Sequence, residues 1–235
     1  MTILIEQRLA DSPYIDTIIQ GQTVRAGSAI RPAEVCWHMV FVREHGNLHP
    51  IVVGPLTTSG VATWPQGGEI LWIKFKPGVF MPHLPFEHLL DRETVLPRGA
   101  GQSFWLKSGV WEFPTYENVE TFINRLVHDE VLVYDPVVGT VLNEQPHDLA
   151  PRTVRHRFQR ATGLTQKQIQ QVGRAQQAAV LLQQGASILD TVHEVGYYDQ
   201  PHLTRALRQW VGYTPAQLLR GEAETAQDQT ILQEK

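Results

Sequence analysis

Two short stretches concentrate the side chains that could do chemistry, RTVRHRFQR at 152–160 and QPHLTRALR at 200–208. In the second, Leu203 and Leu207 are four residues apart and Trp210 follows three later. This apolar helical stripe leaves Gln200, His202, Thr204, Arg205 and Arg208 on the remaining surface. In the first, Val154, Phe158 and Ala161 form the stripe, and Arg152, Arg155, His156, Arg157 and Arg160 occupy the rest. Both faces are rich in donors and positive charge, which suits recognition of a polyanion that offers acceptors. No nucleophile elbow, phosphate loop or paired-carboxylate motif stands out, so no catalytic residue is assigned.

The elements that must hold these faces are short helices with legible ends. Asp199 is a good N-cap and Pro201 fits the first turn, so a helix starts near Gln200. Ser187 can cap a preceding helix in which Ile188, Leu189, Val192 and Val195 recur at helical spacing, and Gly196 supplies the positive φ that ends it. Two helices and a glycine turn make a helix-turn-helix pattern, whose second helix can enter a major groove. The stretch 150–165 repeats the plan: an apolar anchor, an Arg or His, a second anchor four residues later, then Gly and Thr. Between the copies, Thr165 to Leu182 favours helix, with Ile169, Val172, Ala175 or Gln176, and Ala179 or Val180 on one side. Eighteen helical residues span roughly 27 Å, close to the roughly 34 Å between successive major grooves on one face of DNA.

Charge follows the same division. The chain has 20 basic and 24 acidic residues, net -4, yet 151–220 holds nine Arg and Lys against Asp190, Glu194 and Asp199. That segment is +6, and the remainder, with 11 basic and 21 acidic residues, is -10. A basic reading head on an acidic body has this asymmetry.

The runs RTVRHRFQRATGLTQKQ, LLQQGASI and VGYYDQPHLTRALRQWVGYTP together resemble the C-terminal DNA-binding domain of the AraC family of bacterial transcription regulators, over roughly 136–220. The resemblance implies a sequence-specific transcription regulator with two helix-turn-helix units joined by one helix, and double-stranded DNA as partner. Carried over by position relative to the buried anchors, the family's base-facing places fall on Arg152, Arg155 and His156, and on Gln200, Pro201, His202, Thr204 and Arg205. Arg suits guanine O6 and N7, and Gln suits adenine N6 and N7. Arg160, Lys167 and Arg208 look like phosphate contacts. One departure from the family is the segment 135–150, which has room for a single good helix, Val137 to Gln145, stopped by Pro146. Either that helix does two jobs or the first unit is loosely held.

The front part has a different texture. Val35 to Arg43, Ile51 to Val53 and Ile70 to Phe75 are rich in β-branched and aromatic residues and are separated by HGN, TSG and PQGG turn signals. They read as strands of a small β-barrel or sandwich, giving an α+β chain of two domains. An N-terminal cupin-like sensor is also what the resemblance implies, with a small-molecule effector; RNA polymerase is a further partner considered, and no effector-binding residue is assigned. The expected organisation is a β-rich sensor at 1–116, a connecting helix within 117–135, the double helix-turn-helix domain at 136–220 and a mobile tail at 221–235. Val119, Phe122, Ile123, Leu126 and Val127 make the connecting stripe, which suits core packing or a homodimer seam.

His38, His45, His49, His83 and His88 lack ligand spacing, so no metal and no cofactor is assigned. Cys36 is alone and is expected to be a buried small hydrophobe within a strand, which excludes a four-cysteine metal centre. Trp37, Trp64, Trp72, Trp105 and Trp111 all lie in the front part, as core fillers or as the lining of an apolar pocket. Met1 to Ala10 is short and charged, and no apolar run reaches membrane-spanning length, so the chain is expected to be cytoplasmic without a membrane partner. A reading from another class makes the front a β-barrel ligand-binding protein or metal enzyme and the rear helices an interaction module that no longer reads DNA.

Overall fold

The computed structural model describes residues 3–84 and 88–223, so the tail expected to be mobile lies outside the described residues from 224 onward. Six strands form one antiparallel sheet in the spatial order β1 (Ile3–Leu9), β2 (Ile15–Thr23), β7 (Glu69–Phe75), β4 (His38–Glu44), β5 (Asn47–Val53) and β9 (Glu93–Val95). The expected runs are the central strands β7, β4 and β5. His45 and Gly46, both at positive φ (49° and 76°), join β4 to β5 in the left-handed geometry that matches strand twist. Three two-stranded pieces complete the front: β3 (Gly27–Arg31) with β6 (Gly60–Trp64), β10 (Ser103–Leu106) with β11 (Gly109–Glu112), and β8 (Val79–Phe80) with β12 (Val133–Tyr134). The front is β-rich, as the expected barrel or sandwich requires; its large sheet ends on β1 and β9, which do not pair with each other, so strand pairing does not confirm a closed cupin-like barrel.

One face of the sheet is covered by α1 (Val119–His128). Phe122 lies 6.0 Å from Phe41 and 6.3 Å from Trp111 between ring centroids, and Phe104 lies 5.6 Å from Phe41. Of the two uses open to the α1 stripe, the core takes it: Val119, Phe122, Ile123 and Leu126 are buried. The tryptophans divide, with Trp37, Trp64 and Trp111 buried and Trp105 46% exposed. Cys36 is not in a strand: it sits in the bend before β4, half-buried, and burial pushes its thiol up to about 12.

A buried polar cluster crosses the sheet. Lys74 Nζ donates to Glu34 Oε1 at 2.6 Å, Glu34 Oε2 faces His38 Nε2 at 3.3 Å, and Trp72 Nε1 donates to His38 Nδ1 at 2.9 Å. Burial lowers the His38 pKa to about 4, so its imidazole is neutral at pH 7. Both His38 nitrogens thus face protein groups. Among the described residues no group of three or more His, Cys, Asp and Glu could hold a metal ion.

The rear is helical: α2 (Pro136–Leu142), α3 (Pro151–Thr162), α4 (Gln166–Gln183), α5 (Ile188–Val195), α6 (Gln200–Trp210) and α7 (Pro215–Leu219). Buried side chains divide inside α4. Phe158, Ala161, Leu164 and Ile169 join the core of the front sheet, whereas Ala175 to Leu182 join a second core with α5, α6 and α7. The charge boundary near 151 is therefore not a boundary between cores. Among the described residues no helix is long and apolar enough to cross a membrane.

Candidate nucleic-acid interface

The second unit is built from its caps inward. Ser187 Oγ accepts from Asp190 N at 3.1 Å to start α5, and Gly196 ends it at φ 75°. A four-residue turn, 196–199, leads to Asp199, whose carboxylate accepts from His202 N at 2.7 Å. Leu203, Ala206 and Leu207 then bury one side of α6 in the second core. At 3.6 residues per turn the opposite arc carries Gln200, Thr204, Arg208, Pro201 and Arg205 in that angular order. Gln200, Pro201, Arg205 and Arg208 are exposed; Thr204 is half-buried, and its hydroxyl donates back to the Gln200 carbonyl at 2.9 Å.

His202 sits apart from the others, roughly 60° beyond Arg205 around the helix. Its half-buried ring meets Tyr197 edge-on, centroids 5.1 Å apart, and Arg174 of α4 covers that tyrosine at 4.6 Å. The stack fixes the turn against α4, so His202 stands at the edge of the exposed row. Replacing Asp199 with Ala removes the cap that starts α6 and is expected to destabilise the fold by about 0.5–2 kcal/mol in denaturant unfolding. A change below the error of that measurement would show that the cap is not needed once α6 is packed.

The first unit presents the same row. In α3, Val154 is half-buried and Phe158 and Ala161 are buried, while Arg152, Arg155, His156 and Arg160 are exposed. Gly163 ends the helix at φ 70°. Superposing the anchors Val154 and Phe158 on Leu203 and Leu207 sets Arg155 against Thr204, His156 against Arg205 and Gln159 against Arg208. The exposed Gln159 was missed in the sequence reading, although the repeat itself placed it in the row. Tyr198, in the turn before α6, is 91% exposed, whereas its neighbour Tyr197 is buried. Lys167 is exposed in the first turn of α4, beside the Thr165–Gln168 capping box. Arg160 leans over the Phe80 ring at 5.9 Å while its residue stays exposed.

Arg157 has another use. It grips Asp135 with Nε at 3.0 Å and Nη2 at 2.7 Å, and Asp135 also caps α2 by accepting from Val137 N at 3.0 Å. Asp135 N donates to Gly78 O at 2.9 Å, and a Cβ on Gly78 would lie 2.8 Å from Asp135 O. Asp135 thus ties α3 to the start of α2 and to the β7–β8 turn of the front part. The helix before it ends at Leu142, earlier than Gln145, because Glu144 turns left-handed at φ 52°; Pro146 is not the stop. Eight residues, 143–150, separate α2 from α3, twice the turn of the second unit.

The arrangement therefore offers two cationic helix faces, on units joined by an 18-residue strut and braced by caps and aromatic stacks. Residues 148–221, from just before α3 to just past α7, match a family model described as a helix-turn-helix domain. No curated protein and no solved structure matches the chain. With the two units, their strut and this match in place, residues 148–221 are a helix-turn-helix domain of the AraC type, which supports a role in DNA-binding regulation.

Proposed function

We propose that the chain controls transcription by laying α3 and α6 into two successive major grooves on one face of DNA, with a small molecule on the front part setting the response. The observation that carries this reading is the repeated exposed row on two helices joined by one strut of 18 residues, roughly 27 Å long. Arg152, Arg155, His156, Gln200, Pro201, Thr204 and Arg205 would meet base edges, with His202 at the margin. Arg160, Lys167 and Arg208 would hold phosphates. Residues 1–116 would sense, 117–135 connect and 136–220 read, with RNA polymerase and a second copy of the chain as protein partners. A cavity of about 760 Å³ beside Phe41, Leu71 and Phe113, rimmed by Glu6, Arg43 and Glu69, supports the sensing role. An apolar floor with a few polar groups is the usual make-up of a small-molecule site.

The test is selection of genomic DNA fragments by the purified protein, by Arg152→Ala and by Arg205→Ala, at two salt concentrations. A motif of two half-elements about a helical turn apart is expected, each blurred by one variant. Arg205→Ala should weaken the cognate site by about 1–3 kcal/mol and relax preference at one base pair. Unchanged discrimination would remove Arg205 from the reading row. Repeating the selection with a small-molecule cell extract separates an effector-dependent regulator from a constitutive one.

A further inference from the structure

A helix ends on carbonyls that have no partner within it, and in α6 these belong to residues 207–210. The Leu207 carbonyl is taken locally, by the amides of Val211 and Gly212, each at 2.8 Å. The other three are taken by two loops of the front part. Ser59 Oγ donates to Arg208 O at 3.0 Å, Ser59 N to Gln209 O at 2.7 Å, and Ala33 N to Trp210 O at 2.7 Å. From the strut, Gln176 Nε2 donates to Ala33 O at 3.0 Å. Ile30, at the end of β3, packs against the second core, and a Cβ on Gly212 would lie 2.4 Å from its Cγ2. Gly212 also adopts φ +89°, so both the approach and the backbone suit glycine.

The two donor loops are locked to each other and to the sheet. Glu34 and Leu56 exchange backbone hydrogen bonds at 3.0 and 2.6 Å, and Asp91 accepts from Thr57 N and Oγ1 at 2.6 Å each. The first unit is bolted to the same front body elsewhere, through Asp135, Arg157 and Gly78. Both reading helices are therefore referenced to one frame at two separate places.

Resting on the regulator reading above, the geometry points to an interdomain latch: the loops at 31–34 and 56–59 clamp the C-terminal end of α6 and fix its spacing from α3. A front body that shifts these loops changes which half-element spacing the pair of helices accepts. By linkage, DNA of the right spacing holds the latch closed.

The experiment uses the full chain, with Ile30→Ala and Ser59→Pro as variants. Ile30→Ala thins the apolar contact, whereas Ser59→Pro removes two donors just before β6, outside its ladder. Hydrogen exchange should show slow amides at Ala33 and Ser59 in the wild type, and in Ile30→Ala these should speed up about tenfold or more. Binding to duplexes whose half-elements are moved apart by one and two base pairs should show the preference for native spacing narrowing about fivefold or more in both variants. Fast exchange at Ala33 and Ser59 in the wild type overturns the latch whatever DNA does. Faster exchange with an unchanged spacing preference overturns its role in reading. A wild type that selects no DNA at either salt instead overturns the regulator reading, leaving the exchange data to decide whether the clamp exists.

Discussion

The affinity of the chain for its DNA site is expected to fall roughly fortyfold between 50 and 200 mM salt, with a log–log slope of about -3 from three phosphate contacts. Six exposed cations, Arg152, Arg155, Arg160, Lys167, Arg205 and Arg208, lie on or beside the two reading rows, and each that meets a phosphate displaces condensed counterions. Whole-chain net charge of -4 does not oppose this, because the acidic excess lies outside 151–220 and is screened beyond about 10 Å at 0.1 M salt. Single replacements divide the six by role. Arg160→Ala, Lys167→Ala and Arg208→Ala should each lower the slope by about 1 and weaken all sequences alike, whereas Arg205→Ala should change which base pair is preferred. Fluorescence anisotropy titrations at four salt concentrations measure both effects. A slope near zero would mean that neither row neutralises phosphate, and would favour an interaction module that no longer reads DNA.

The second unit was legible in the sequence because its determinants are local. Asp199, Pro201, the Leu203–Leu207 pair and Gly196 lie within 12 residues, and each acts on its own neighbours. The strut was legible for the same reason, from the Thr165 cap through Leu182. The support of the first unit was not. It depends on Gly78 meeting Asp135, on the two-residue strand at Val79–Phe80, and on Arg157 reaching back 22 residues to Asp135. None of these leaves a periodic signal, and the Arg157 pair removes from the basic face a side chain that spacing alone assigns to it. The clamp on α6 was hidden still more thoroughly. Its donors at Ala33 and Ser59 are mostly backbone amides, and any residue other than proline could supply those. Strand and turn composition pointed to a β-rich front part but left barrel and sandwich open, because composition does not say whether the edge strands β1 and β9 meet.

Glu34→Ala should destabilise the fold by about 3–5 kcal/mol, the usual result of removing one partner from a buried ion pair. The Lys74 ammonium, only 9% exposed, would lose the carboxylate 2.6 Å away and keep the Trp72 ring at 4.4 Å as poor compensation. Burial alone would raise the Glu34 carboxyl, but His38 and Lys74 hold it below its ordinary 4.5. A lowered carboxyl stabilises the fold above about pH 4.5 and loses that contribution as pH falls through its folded value. His38, lowered from 6.5 to about 4, acts in the same direction: its contribution is complete above pH 6.5 and drains away toward pH 4. Urea unfolding of the wild type should therefore show stability falling from pH 6.5 downward, and Glu34→Ala should start lower and lack the carboxyl part of the fall. Pairing Glu34→Leu with Lys74→Met should restore much of the loss, since an apolar pair strands no charge. Because the backbone of Glu34 bonds Leu56 and follows Ala33, the single variant should also loosen the clamp on α6, raising exchange at Ala33 and Ser59 together. A Glu34→Ala protein within about 0.5 kcal/mol of wild type would mean that water reaches Lys74 and that the cluster does not brace the loops.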